Sequence, residues 1–318
     1  MLTSEILQQA PIQSILIAIS VIGLQSLWQI PAKFHPLTFF RLVGVSISHK
    51  VNHPERSDFQ QLIAGSLAPI LLLLPLFVML YFLLELVYFR WFFEAVILFI
   101  SLYSFSAKRD FYRLYRHLAK QNKQLSKHTL ASLVLREVET LSPLGCAKAA
   151  MESLSLRFYY QSAAVLFWFF SIGPLMALFV RLTLELHYIW HLRLTRFAVF
   201  GKPIDIANKL LQWVPARLHS FLIVCLYRPS SIKIWFRHLN RPIRELLMAI
   251  TAHNVQCELG GPAFYNNKKT RFERHNSQHP TKLDHMLIVG RYLNFKLLIL
   301  VVSYAMITLS LYFPTQSI

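Results

Sequence analysis

Long uncharged apolar blocks alternate along this chain with basic polar stretches. Residues 62–84, 158–180 and 297–313 contain no Asp, Glu, Lys or Arg. A helix needs roughly 20 apolar residues to cross a hydrocarbon layer about 30 Å thick. The pattern therefore predicts an all-α fold: a multi-spanning helical membrane protein with five or six transmembrane helices plus amphipathic cytoplasmic helices. Spans are expected at about 6–32, 62–84, 91–107, 158–180, 210–227 and 297–313. Between them lie polar regions at 33–61, 108–157, 181–209 and 228–296, and 1–318 reads as a single integral-membrane domain.

The blocks differ in quality. The first is diluted by Gln8, Gln9, Gln13, Gln25 and Gln29. The second contains Pro69 and Pro75, which kink a helix and are tolerated where neighbours satisfy the freed carbonyls. Gly173-Pro174 breaks the fourth. Pro215 and Arg217 make the fifth the weakest, a segment that crosses, re-enters or lies in the interface. In the polar regions, Phe111, Tyr112, Leu114, Tyr115 and Leu118 alternate with cations, as in a basic helix lying along a bilayer or on the core. Ser142-Pro143 starts another helix. A further helix is expected over 243–258, stopped by Gly260 in the left-handed C′ position and by Pro262.

Composition adds a strong positive balance: 33 Lys and Arg against 15 Asp and Glu, net +18. Nucleic acid is not the expected partner. The cations fall in the loops between apolar blocks, where the positive-inside rule already accounts for them. The three cysteines, Cys146, Cys225 and Cys257, form no C-x-x-C pair, so neither a disulfide framework nor a thiolate zinc site is expected. The N-terminus lacks the basic region and small-residue cleavage site of a removable signal peptide. No phosphate loop, nucleophile elbow or G-x-G-x-x-G is present.

Several residues could carry chemistry. His187 and His191 are four apart, a metal-ligand spacing, although interfacial histidines among aromatics are the commoner case. Arg181 and Glu185 form an i, i+4 pair that is either structural or functional. Arg217, inside VPARL, needs a carboxylate, a carbonyl or a phosphate as partner. His253 and Asn254 interrupt the apolar stripe of Ile243, Leu246, Leu247, Ile250 and Cys257, and a buried polar pair needs hydrogen-bond partners. The stretch ELGGPAFYNNKK at 258–269 places two glycines where their backbone amides could approach a phosphate closely.

Five spaced fragments then add up. They are His35-Pro36-Leu37; Arg136-Glu137 with Leu141, Lys148 and Glu152; Thr183-Leu184-Glu185; VPARL at 214–218; and Pro242 followed by LGGPAFY at 259–265. In order and spacing the chain resembles the CobD/CbiB family of integral-membrane cobalamin biosynthesis proteins. The corresponding family patterns are H-P-V, R-D-T-x-x-L with its following R and E, N-T-L-D, L-P-A-R-L, and S-P-N with L-G-G-x-x-x-Y. The resemblance implies an adenosylcobinamide-phosphate synthase. Such an enzyme joins aminopropanol phosphate to adenosylcobyric acid by an amide bond, with Mg-ATP as cofactor. It implies a multi-pass protein of the bacterial inner membrane whose partners are membrane lipids, the corrinoid substrate and aminopropanol phosphate. The residues it implicates are Glu152, Glu185 and Glu137 as catalytic, and His35, Arg136, Lys148, Arg217, Gly260, Gly261 and Tyr265 as substrate-binding.

The chain also departs from the pattern. Where the family has E-N-x-x-D-G it reads Leu156 to Gln161, without an acid. The N-terminal acids are replaced around Gln25 and Gln29, the pair before L-P-A-R-L is Asn208 and Lys209, and Ile243 and Met248 stand for an Asn and a Glu. Neutralised carboxylates at several places imply weak metal binding and a divergent member in which ligase activity is reduced or lost. A second resemblance, carried by RFYYQSAAVLFWF and LLQWVPARL, is to AmpE. It implies the alternative of a non-catalytic inner-membrane regulatory or sensor protein. A transporter ranks behind both, because the spans hold few charges and show no two-half symmetry.

Overall fold

A computed structural model describes residues 10–28, 30–53, 55–102, 105–265 and 268–312. Gln8, Gln9, Gln29, Asn266 and Asn267 lie outside the described residues. Helices follow one another from the start: α1 (Ala10–Leu27), α2 (Pro36–Val51), α3 (Asp58–Leu86), α4 (Arg90–Ser101), α5 (Phe105–Ala119), α6 (Lys123–Ala131) and α7 (Pro143–Arg157). A π-helical turn, Phe158–Ala163, leads to α8 (Ala164–Ser171), α9 (Pro174–Ile189), α10 (Lys202–Leu226), α11 (Ile232–His238) and α12 (Ile243–Val255). A hairpin of β1 (Pro262–Tyr265) and β2 (Lys268–Arg271) precedes α13 (His285–Tyr312). The protein is thus nearly all-α.

Local chemistry sets the boundaries. Each of α2, α7 and α9 begins with a proline in its first turn, where the missing N–H costs nothing. The Ser142 hydroxyl caps α7 by accepting from Gly145 N at 3.1 Å. The uncharged block at 158–180 is not one helix: a π-turn opens it, and Gly173 at φ 130° with Pro174 divides it. Pro69 and Pro75 leave α3 continuous, and α10 runs unbroken through Pro215.

The expected helix over 243–258 ends sooner. Gln256 adopts the left-handed conformation at φ 55°, and its N–H bonds back to the Ala252 and His253 carbonyls. The left-handed stop therefore falls on Gln256 and not on Gly260, because the local back-bonding closes the helix before the glycines are reached.

The chain packs as two compact units. Of the described residues, the first comprises those within 10–102, 164–215 and 301–312, and the second those within 105–163 and 216–300. In the first, α9 packs against α2, α3, α4 and α8, and α1 lies on α4. Its core holds Leu37, Phe40, Leu73, Leu182, Leu186, Trp190 and Phe200. In the second, α7 packs on α5, α6 and α12, with Ala147, Ala150, Met151, Leu246, Leu247 and Ile250 buried. The small residues on α7 let its neighbours approach closely.

Among the described residues two helices are long and apolar enough to cross a membrane, Asp58–Leu86 and His285–Ser310; a shorter apolar helix covers Ile12–Leu27. The outer faces of the long pair remain apolar: Leu71 and Leu74 on α3 and Leu298 and Met306 on α13 are all at least 60% exposed. Such faces suit lipid rather than water, as in a membrane protein.

Candidate functional site

Several ion pairs gather around the hairpin of the second unit. Glu152, on α7, is 4% exposed. Its Oε1 accepts from the Gly260 backbone N–H at 2.7 Å. Its Oε2 lies 3.3 Å from Arg244 Nη2 and 3.5 Å from Arg136 Nη2. A buried carboxylate needs this much compensation. One helical turn earlier on α7, Lys148 Nζ binds Glu258 Oε1 at 2.6 Å, and Arg274 Nε stands 3.8 Å from the same oxygen. The Arg244 guanidinium lies over the Phe272 ring, 3.6 Å from its centroid. Helix α7 is thus stitched twice to the segment that holds the glycine pair.

The ladder shows why the glycines are there. Gly261 and Phe272 exchange both backbone bonds, Gly261 N to Phe272 O at 3.3 Å and Phe272 N to Gly261 O at 3.1 Å. Leu259 then pairs with His275. Between these pairs one side of the ladder has one residue and the other two, so Glu273 and Arg274 together oppose Gly260. This is a β-bulge. Gly260 takes φ 91°, and a Cβ on it would run into the Glu273 carbonyl oxygen. Gly261 takes φ 108° without such a collision.

The two glycine amides are consequently not available to a phosphate: one serves Glu152 and the other the ladder. Both amides expected to approach an anion are thus already hydrogen-bonded within the chain. Cationic side chains lie close by. A cavity of about 320 Å³ is lined by Gly261, Pro262, Lys269, Arg271, Phe272 and Arg274. Three of these side chains are cations and none is a carboxylate, which suits a phosphate or carboxylate ligand.

The other implicated residues of this unit are placed as follows. Glu137 donates its backbone N–H to Phe264 O at 2.9 Å, tying the loop after α6 to β1. Tyr265 pairs with Lys268 across the hairpin. Arg217 Nη2 donates to the Leu239 carbonyl at 3.1 Å, one of the partner types expected for it. Asn254 is satisfied by packing: it donates to Tyr292 Oη at 2.6 Å and accepts from Ser231 Oγ at 2.7 Å. Sequence reasoning missed Arg244, Glu258, Lys269, Arg271 and Arg274. The alternation Lys269-Thr270-Arg271 was a signal, because strand geometry puts both cations on one face.

His35 and Glu185 belong to the first unit. Glu185 is fully buried on α9, with Arg181 Nη2 at 2.7 Å from Oε1 and Arg41 Nε at 2.5 Å from Oε2. His35 caps α2, its Nδ1 accepting from Leu37 N at 3.2 Å. Burial, aided by the charges of Arg181 and Arg41, lowers its pKa to about 4. His187 lies on α9 but His191 falls beyond its end at Ile189, so the two do not share a helix face; their rings still approach, with centroids 5.2 Å apart, and Asp205 Oδ1 lies 3.5 Å from His187 Nδ1.

The tightly matched carboxylates do not fit a site for a bare Mg²⁺ ion. Glu152 and Glu258 both face cations, and the charged side chains of the cavity are all positive. Octahedral Mg²⁺ asks for one or two carboxylates beside substrate phosphates.

Comparison with known proteins bears on this arrangement. The family model described as CobD/Cbib protein matches residues 18–289. The chain is 28% identical over 257 residues to "Cobalamin biosynthesis protein CobD" of Stutzerimonas stutzeri (strain A1501), covering 79% of this chain and 84% of that relative. It is 26% identical over 222 residues to "Probable cobalamin biosynthesis protein CobD" of Pyrococcus abyssi, covering 67% and 72%. A third relative, "Cobalamin biosynthesis protein CobD" of Chromobacterium violaceum, is 27% identical over 155 residues, covering 48% and 50%. No solved structure matches the chain.

Proposed function

Because the chain belongs to the CobD/CbiB family, we propose that it serves cobalamin biosynthesis as a membrane-bound, amide-forming ligase. The reaction joins the amine of aminopropanol phosphate to a corrinoid side-chain carboxylate at the expense of ATP. The observation that carries this reading is the cationic cavity beside the glycine hairpin. Both substrates and the nucleotide carry anionic groups, and Lys269, Arg271 and Arg274 offer the charge to hold one such phosphate or carboxylate. Phe272 contributes an apolar wall, and the Glu152 anchor fixes the backbone beneath it. In this reading Glu152 is a positioning residue rather than a metal ligand or base, since its carboxylate already takes three partners. The AmpE-like regulatory alternative is not favoured by the family match or the named relatives.

The same reading places the protein in the bacterial inner membrane with five or six spans, α3 and α13 being the strongest. Glu185 and His35 are assigned here to holding the first unit together.

Membranes containing the protein, incubated with adenosylcobyric acid, aminopropanol phosphate and Mg-ATP, are expected to form adenosylcobinamide phosphate. Arg271→Glu should lower the yield at limiting aminopropanol phosphate by about tenfold or more, the cost of reversing one charge in a phosphate site. No product, alongside an active relative as control, overturns the ligase reading. Product formation unaffected by Arg271→Glu and Arg274→Glu overturns the cavity assignment alone.

A further inference from the structure

On the segment that follows β2, two residues meet a third from α11. His238, Glu273 and His275 each offer one ligand atom, and these atoms all lie within 4.8 Å of one another. His238 is the last residue of α11, Glu273 stands in the bulge opposite Gly260, and His275 closes the ladder against Leu259. None of the three lines the anion cavity described above.

The surroundings prepare the group for a metal. His238 Nδ1 lies 3.0 Å from the Ile234 carbonyl oxygen, which can only accept, so Nδ1 is the donor in this contact. A backbone carbonyl on the second ring nitrogen is the usual device that orients a ligating histidine. The His275 backbone is held by reciprocal bonds with Leu259, at 2.8 and 3.2 Å. The two imidazoles stand 5.4 Å apart between centroids, at 71°. Both histidines are buried, while Glu273 is exposed and completes the group from the solvent side.

We propose that His238, Glu273 and His275 bind one Zn²⁺ ion. Imidazole nitrogens select Zn²⁺ or a neighbouring transition metal over Mg²⁺. Three protein ligands leave a fourth tetrahedral position open. Ligands around Zn²⁺, with bonds of roughly 2.0–2.1 Å, sit about 3.3 Å apart, so side-chain rotation of about 1.5 Å brings them into contact with the ion. The ion clamps α11 to the bulge and so fixes the segment on which Arg274 is carried toward the cavity. The proposal rests on this geometry and not on the ligase reading.

The test uses the full chain in detergent, purified on a histidine-free tag and stripped of metal. Titration with Zn²⁺ against a chromophoric chelator should show one equivalent per chain. Co²⁺ in its place should give the intense visible absorption of a tetrahedral site. His238→Ala and His275→Ala should each weaken Zn²⁺ by about 100-fold or more, since even changes to the residues behind the ligands cost 10–100-fold. Glu273→Gln, at an exposed position that does not threaten folding, should weaken it measurably and alter the Co²⁺ spectrum. His279→Ala and the pair His187→Ala with His191→Ala should keep the wild-type equivalent. Absence of a stoichiometric site in the wild type overturns the proposal. So does wild-type binding by all three ligand variants, or loss of the ion only in the His279 or His187/His191 controls.

Discussion

Among individual side chains, the decisive feature is a carboxylate whose partners leave it no spare capacity. Glu152 sits between two guanidiniums and a glycine amide. Removing one member of a buried pair leaves the others uncompensated, at a cost of about 3 kcal/mol or more. Glu152→Gln is therefore expected to lower stability by that order, read as unfolding temperature or denaturant midpoint in detergent. A metal-binding or base role predicts the opposite split, with stability intact and activity gone. His35 gives a second test of the same kind. Its pKa is lowered to about 4 by burial first, so the folded state favours the neutral ring and the unfolded chain binds more protons at acid pH. Its contribution to stability is fully present above about 6.5 and is lost as pH falls from there toward 4. His35→Asn keeps a capping side chain and should flatten that part of the stability profile. An unchanged slope in the variant would remove His35 as the cause. The sequence named Glu152, Arg136 and Lys148 but not Arg244 or Glu258. Arg244 is 92 positions from Glu152, and Glu258 is 110 from Lys148, whereas periodicity reports only local neighbours.

Among the helices and strands, the glycine pair changes meaning. From sequence alone Gly260 reads as a helix stop, because a left-handed residue and a proline follow an apolar stripe. The helix instead closes on Gln256, and Gly260 lies opposite a β-bulge. Nothing in local propensity announces this: β1 and β2 are four residues each, too short for a strand pattern to stand out. The two glycines should then respond differently to the same change. Gly260→Ala places a Cβ into the Glu273 carbonyl and also strains the backbone. Gly261→Ala meets only ordinary contacts at its positive φ, a strain of about 1–3 kcal/mol. The expected order is a loss of the hairpin's protection from protease in Gly260→Ala and a milder loss in Gly261→Ala. Equal behaviour would mean that the bulge does not constrain this segment.

Across the full chain, the apolar blocks were legible as helices because length and hydropathy are summed along the sequence. Their division was less so. Gly173 at positive φ divides one block, whose N-terminal part runs through the π-turn at Phe158–Ala163, and among the described residues only α3 and α13 are both long and apolar enough to cross. The face of α3 decides what surrounds it. Leu71, near its middle, is 72% exposed, and Phe59, in its first turn, is 70% exposed. In water these would be equivalent surface positions and a lysine at either would be harmless. In a bilayer they differ: a lysine near the centre of a span costs roughly 2.5–3.5 kcal/mol for insertion, whereas one near the end reaches the interface. Leu71→Lys should therefore sharply reduce the carbonate-resistant fraction of the protein, while Phe59→Lys leaves it near wild type. If both variants remain equally membrane-bound, α3 does not face lipid along this side, and the exposed leucines of α3 must be covered by protein.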